Sequence, residues 1–333
     1  MDSNITDLDK RGDLILRFGA SLTKDLRVCS RTMARASDVF EKMLFGPFKE
    51  SQKEDKEWVI ELPEDNIKPM TTILAIAHCC HKKVPDSVTI SELFELLILG
   101  DKYDMTHHLR HYLREWVPQT EDVDFGEDTL LLAWIARNLG AKELFEKAII
   151  EIAKHYPNTD FYPKEGRVGF FNGTKDDGSS FDTHIRASDI IDTAIATQKS
   201  LFKSVLKPLR EATRQAFDEK ACKRYDRLRE RESCGNSLFT TLNRGCRSVG
   251  IDPGLVSCLT EPLPTYPHSV NNFCWAIQLM KCSNIPDHDS CNPMADIKTD
   301  TMRAFGDASV TLSLSQQEYF ERRAKISGWY EID

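Results

Sequence analysis

Along the first third of the chain, apolar and polar residues alternate in short runs and then recur at three- to four-residue spacing. DLILRFG (residues 13–19) alternates, which predicts a strand with Leu14, Leu16 and Phe18 on a different face from Ile15 and Arg17. LRVCS (residues 26–30) predicts its partner strand, joined by a short polar turn around Ser21 to Asp25. RTMARASDVFEKML places Met33, Ala36, Val39 or Phe40, and Met43 at helical spacing. EWVIELP (residues 57–63) reads as a third strand ended by its proline. Asp65 or Asn66 can cap the next helix, whose apolar stripe is Ile67, Met70, Ile73 or Leu74, and Ala77. Ser91 opens a further helix through SELFELLILGDKYDM, and HHLRHYLREWV closes the region before Pro118. The order predicts an α+β unit, a small sheet covered by helices, over residues 11–118 behind a polar leader at 1–10.

Beyond it the pattern turns helical. DTLLLAWIARNLG and AKELFEKAIIEIAKH predict a pair of helices within an extension spanning 119–160, with Gly140 placed to end the first. Residues 161–187 are too rich in Gly, Asp and Ser for a regular element and read as a loop. A long basic amphipathic helix region follows at 188–231, carrying Ile191, Ala194 or Ile195, Leu201 or Phe202, Val205 or Leu206, Leu209, and Ala216 or Phe217. Pro208 is expected to kink or split it. Residues 232–333 read as a Cys-rich module of short helices broken by Pro and Gly.

Charge and leader composition narrow the class. The 333 residues carry a net charge of -8, so nothing global draws the chain to nucleic acid or an anionic membrane. MDSNITDLDKRGD has no basic n-region or apolar h-region, and LLLAWIA is far shorter than the ~20 residues a membrane span needs. These features predict the cytosol or nucleus, not secretion, with no membrane partner. Its ten cysteines are then expected to be thiols, packed as small hydrophobes or bound to metal, and seven of them lie beyond residue 220.

GDLILRFG, LRVCSRTMARASDVFEKML, VIELPEDN and LGDKYDM, in that order, resemble the BTB/POZ domain in the variant common in filamentous fungi. The resemblance covers roughly Arg11 to Val117, and LLLAWIARNLGAKELFEKAI resembles the helical pair that follows the domain in such proteins. It implies that Phe40 and Met43 are core residues and that Asp38 is a surface or helix-dipole residue. Family members usually place a histidine where this chain has Cys29, so a weak S–H donor replaces any imidazole hydrogen bond there. BTB domains bind themselves, related domains, or the scaffold subunit of a cullin-type ubiquitin ligase. The resemblance therefore implies an interaction module whose partners are proteins, with Phe48, Lys49 and the helix opening at Ser91 in regions that partners contact.

Four stretches carry candidate chemistry. In AHCCH (residues 77–81), adjacent Cys79 and Cys80 diverge by ~100° on a helix, so packed thiols are expected there and not a metal tetrad. His107 and His111 in HHLRH have zinc-compatible i,i+4 spacing but lack the glutamate of a HExxH site, and a solvated face is expected. The basic positions from Gln198 to Arg231 are interleaved with Glu211, Asp218, Glu219, Asp226 and Glu230, which argues for a packed, charge-decorated helix over nucleic-acid binding.

CSNIPDHDSC (residues 282–291) is the fourth. Cys282, His288 and Cys291 can chelate one ion, with Pro286-Asp287 bending the backbone inward. Cys234 in ESCGNSL is the expected fourth ligand, and the resemblance supports it, since fungal members often pair such a cysteine with a downstream Cys…His-x-x-Cys cluster. Cys222 is the next choice and Cys258 the third. A Cys3His set would be a closed, structural zinc site; the alternative is independent thiols. GxGxxG, GxxxxGK[ST] and GxSxG are all missing, so no catalytic or organic-cofactor residues are assigned. The chain is expected to be a non-enzymatic adaptor or scaffold, with a homodimer or a cullin-type scaffold among its partners. A nucleic-acid-associated transcriptional regulator using the basic helix, or an enzyme with an unrecognised site in the C-terminal half, are the other classes left open.

Overall fold

The computed structural model describes residues 5–19, 24–52, 57–117, 128–157, 189–218, 220–224, 227–257, 268–283 and 288–329. The expected turn at 21–25 falls partly outside this set; the loop at 161–187, the Pro286-Asp287 bend and Cys258 fall wholly outside. The fold is mixed, with a small four-stranded sheet near the N-terminus and a mostly helical remainder. Two compact units divide the chain: residues 1–145 with 313–333, and residues 146–312.

The first unit opens with β1 (Ile5–Asp7), β2 (Leu14–Phe18) and β3 (Lys24–Val28), followed by α1 (Ser30–Ala36), α2 (Asp38–Phe45) and β4 (Val59–Leu62). Sheet order is β1-β3-β2-β4; β2 and β3 form an antiparallel pair, while β1 and β4 run parallel to β3 and β2. The polar leader thus supplies an edge strand, with Thr6 opposite Leu26 and Asp7 ion-paired to Arg27 at 3.2 Å. In β2, Leu14, Leu16 and Phe18 are buried as the alternation predicts, and Ile15 is buried as well.

One core position differs from expectation by one residue: Leu44 and not Met43 is buried on α2. On β4, Ile60 is buried and Val59 only partly. A single helix through RTMARASDVFEKML would set Met43 inward, but the chain breaks at Ser37, which is extended at φ -155° and ψ 122°. Ser37 caps α2 by accepting from the Phe40 N–H at 3.0 Å, and its hydroxyl donates to the Tyr103 carbonyl at 2.5 Å. The break resets the helical phase, so Phe40 and Leu44 form the inner stripe.

Asn66 caps α3 (Ile67–Ala77), leaving Asp65 for another purpose. Its buried carboxylate accepts from the Tyr103 hydroxyl and from Lys102 Nζ at 2.6 Å. Thr89 and Glu92 form a capping box at the start of α4 (Ile90–Lys102). HHLRHYLREWV is not one helix: Thr106–Leu109 is a 3-10 turn, and only Leu113–Trp116 forms the short α5. α6 (Thr129–Leu139) is buried nearly all round and ends at Gly140, whose φ of 80° favours glycine.

The helix α13 (Leu314–Ser327) packs back on α6 in this first unit and not on the Cys-rich region. Its Arg323 donates to the Asn138 carbonyl at 2.7 Å, and its Ser327 hydroxyl to the Leu139 carbonyl at 2.6 Å, satisfying carbonyls that end α6. A Cβ at Gly140 would collide with the backbone of Phe320 and Ala324, so the approach needs glycine twice over.

His78, at the end of α3, links that helix to the start of α1. Its Nε2 accepts from the Cys29 N–H at 3.1 Å, which requires Nδ1 to be the protonated nitrogen, donating to the Leu74 carbonyl at 2.9 Å. Burial lowers its pKa below the ordinary 6.5. Protonation would place a second N–H against the Cys29 donor. The unfolded chain therefore binds the proton more readily, and stability is expected to fall as pH drops below about 6.5 towards the folded-state value. An NMR titration of the His78 ring should give a midpoint below 6.5, and His78→Gln should flatten the loss of stability in that range. A midpoint at or above the ordinary value would contradict this account.

The second unit is helical. α8 (Ile190–Phe217) continues as one helix through Pro208, and α9 (Leu228–Ser248) begins separately, with residues 220–224 outside any helix, so the basic positions to Arg231 do not lie on a single helix. α10 (Pro253–Ser257), α11 (Val270–Leu279) and α12 (Met294–Gly306) complete the unit. Its core joins Val205, Leu206 and Leu209 of α8 to Leu242, Phe273, Ile277 and Ile297. α7 (Lys142–His155) carries the boundary between the two units.

Candidate metal centre

Chain segments far apart in sequence bring four donor side chains together. Cys222 lies in the connection after α8, and Cys234 sits in the second turn of α9 with its side chain buried. His288 and Cys291 flank a 3-10 turn at Asp289–Cys291, closed by the Cys291 N–H donating to the His288 carbonyl at 2.9 Å. The ligating atoms of Cys222, Cys234, His288 and Cys291 all lie within 4.8 Å of one another. His288 Nδ1 is 3.6 Å from Cys291 Sγ and 3.8 Å from Cys222 Sγ.

These distances match a metal tetrahedron. With Zn–S bonds of ~2.3 Å, neighbouring donors stand about 3.8 Å apart along a tetrahedral edge. The Lys223 N–H donates to Cys291 Sγ at 3.3 Å, which fixes the sulfur's position in the cluster. Ala216, Leu238 and partly buried Phe239 pack around the cluster, keeping it dry on that side. Burial, then neighbouring Cys291 and Cys222, push the Cys234 thiol up to about 12. Bringing three thiols and an imidazole together this closely has a simple explanation if a divalent cation offsets the mutual repulsion of the thiolates.

The ligand set differs from expectation at one position: Cys222 is in the cluster and Cys282 is not. Cys282 is hydrogen-bonded to the Thr241 side chain, and burial raises its thiol pKa above the ordinary value. Gly245 permits this, because a Cβ there would meet the Lys281 carbonyl oxygen at 3.0 Å. Thr241 is seven residues beyond Cys234 on α9, about 10 Å along the axis at ~1.5 Å per residue. No single ion could span that distance. Cys246 and Cys274 are packed thiols, raised to about 11 and about 12 chiefly by burial.

The other candidates disperse. In AHCCH, His78 is held by Leu74 and Cys29, and Cys80 Sγ donates to the Leu8 carbonyl at 3.1 Å. His81 Nδ1 faces the Tyr112 hydroxyl at 2.8 Å, while exposed Cys79 adopts a left-handed φ of 55°. His107 stacks beside His108, whose Nε2 bonds the Ala36 carbonyl, and the 3-10 geometry removes the helical pairing of His107 with His111. On α8, Arg214 is held between Glu211 at 2.7 Å and Asp218 at 3.1 Å.

All nine described cysteines are free thiols. None of the described helices is long and apolar enough to cross a membrane. None of the family models, curated proteins or solved structures compared with this chain matches it.

Proposed function

We propose that this chain is a non-enzymatic adaptor that docks protein partners through a BTB/POZ-like first unit, with a structural zinc centre in the second. The observation that carries the docking reading is the order of elements: an antiparallel β2–β3 pair, the α1–α2 pair, then β4 returning parallel to β2. That is the order the BTB/POZ resemblance implies. The exposed apolar side chains Val39, Phe45 and Phe48, on and just after α2, support a docking role nearby, since each leaves apolar surface open to water. For the centre, Cys222, Cys234, His288 and Cys291 would hold zinc as a closed four-ligand set with no open position for chemistry.

The docking reading is tested on the full chain, because α13 completes the first unit. Sedimentation velocity reads self-association, and binding to a purified cullin-type scaffold subunit is measured beside it. One of the two is expected, weakened at least ten-fold by Phe45→Glu combined with Phe48→Glu at unchanged circular dichroism. A monomer with no affinity for the scaffold subunit would remove the reading and leave the metal centre untouched.

A further inference from the structure

A groove of about 680 Å³ lies in the second unit, between the C-terminal half of α8 and residues of α9 and α10. Its volume falls within the roughly 300–1,000 Å³ of clefts that take ligands. One end is aromatic: Phe217, 75% exposed at the last position of α8, faces Phe239 with ring centroids 6.2 Å apart, and Val256 lines the groove with them. The helical period turns Ala216 inward and Phe217 out, so this phenyl ring contributes little to the core. Lys203, Lys207, Arg210 and Arg214 line the same groove, spaced along α8 at three- and four-residue intervals. Among the described lining residues two carboxylates accompany them, Glu211 and Asp218, and both are engaged by Arg214. The lining is therefore net positive on a chain whose net charge is -8.

We propose that this groove binds an acidic segment of a partner protein, its carboxylates on the cationic row of α8 and one apolar anchor side chain against Phe217 and Phe239. Charge complementarity selects the occupant. A net positive lining, interrupted by two carboxylates and set beside an apolar pocket, suits a peptide that alternates Asp or Glu with a large apolar residue. Nucleic acid fits less well, because Glu211 and Asp218 interrupt the row where successive phosphates would pass. Every described residue of the groove lies in the second unit, so the proposal is independent of docking through the first.

The test uses the full chain and a fluorescein-labelled peptide, EDLWEEL, read by fluorescence anisotropy. KKLWKKL serves as the charge-reversed control, and a 20-nucleotide single-stranded DNA as competitor. Saturable binding of the acidic peptide is expected, weakening as salt is raised. Lys207→Glu and Phe217→Ser should each weaken it at least ten-fold; both positions are exposed, and circular dichroism checks that each variant folds. No saturable binding, equal affinity for KKLWKKL, tighter binding of the DNA, or variants that bind like the wild type would each overturn the proposal.

Discussion

Cys234→Ser is expected to reduce bound zinc from about one per chain to none and to lower the thermal midpoint by about 10 °C. Cys234 is buried at the centre of the cluster, and its loss leaves three donors where a closed tetrahedral site needs four. Zinc sites of this kind are linked directly to folding, and in small peptides they supply roughly 10–16 kcal/mol of apparent free energy. This unit also has an apolar core, joined across α8, α9, α11 and α12, so the loss should be nearer 4 kcal/mol. At about 2–4 °C per kcal/mol for a unit of this size, that gives the stated shift. Burying a serine hydroxyl would destabilise even a metal-free protein, and chelation separates the two causes. EDTA should lower the wild-type midpoint towards that of Cys234→Ser while scarcely moving the variant. Cys222→Ser should behave like Cys234→Ser, and Cys282→Ser should keep its zinc. A wild-type protein that native mass spectrometry shows to be folded without metal would end this account.

Asp65→Ala should have the second largest effect, a loss of about 2–3 kcal/mol in the first unit. The Asp65 carboxylate is 4% exposed and accepts from both the Tyr103 hydroxyl and Lys102 Nζ. Tyr103 is itself buried and stacks on Phe40 at 4.5 Å between centroids, so its hydroxyl has no ready route to water. Burial, and then the Asp65 hydrogen bond, raise its pKa well above that of a free tyrosine, which keeps the phenol protonated as a donor. Alanine would orphan that donor at roughly 1–3 kcal/mol, whereas half-exposed Lys102 can return to solvent. Asp65→Asn retains an acceptor and should cost about 1 kcal/mol. A double-mutant cycle of Asp65→Ala with Tyr103→Phe should show a coupling of at least about 1 kcal/mol. Additive losses would mean that the pair is incidental.

Regular periodicity made the first unit legible. β2, α3 and α4 follow from alternation and helical spacing, and Gly140 marks the end of α6 by its chemistry alone. The misses occur where a tertiary contact overrides local pattern. Ser37 interrupts what reads as one helix because its hydroxyl reaches Tyr103, 66 residues away. The dispersed HHLRH histidines and the edge strand at Ile5–Asp7 likewise depend on partners that no local window contains.

The candidate metal ligands divide along the same line. His288 and Cys291 share one tight turn, so proximity in sequence is proximity in space. Cys282 is only six residues from His288, but Met280 anchors its segment in the apolar core, and close approach at Gly245 carries Cys282 towards Thr241. Cys222 enters the site because α8 stops at Phe217 and does not run on to Arg231. Its interval of twelve residues from Cys234 carried no helical meaning, since the two are not on the same helix.

The return of α13 to α6 has a consequence for biosynthesis. The first unit stays unfinished until the ribosome has added the whole of residues 146–312 and then the stretch of chain that forms α13. At ~5–20 residues per second that is a wait of roughly 10–40 s. During it, the cleft destined for Phe320 and Ser327 stays open to chaperones.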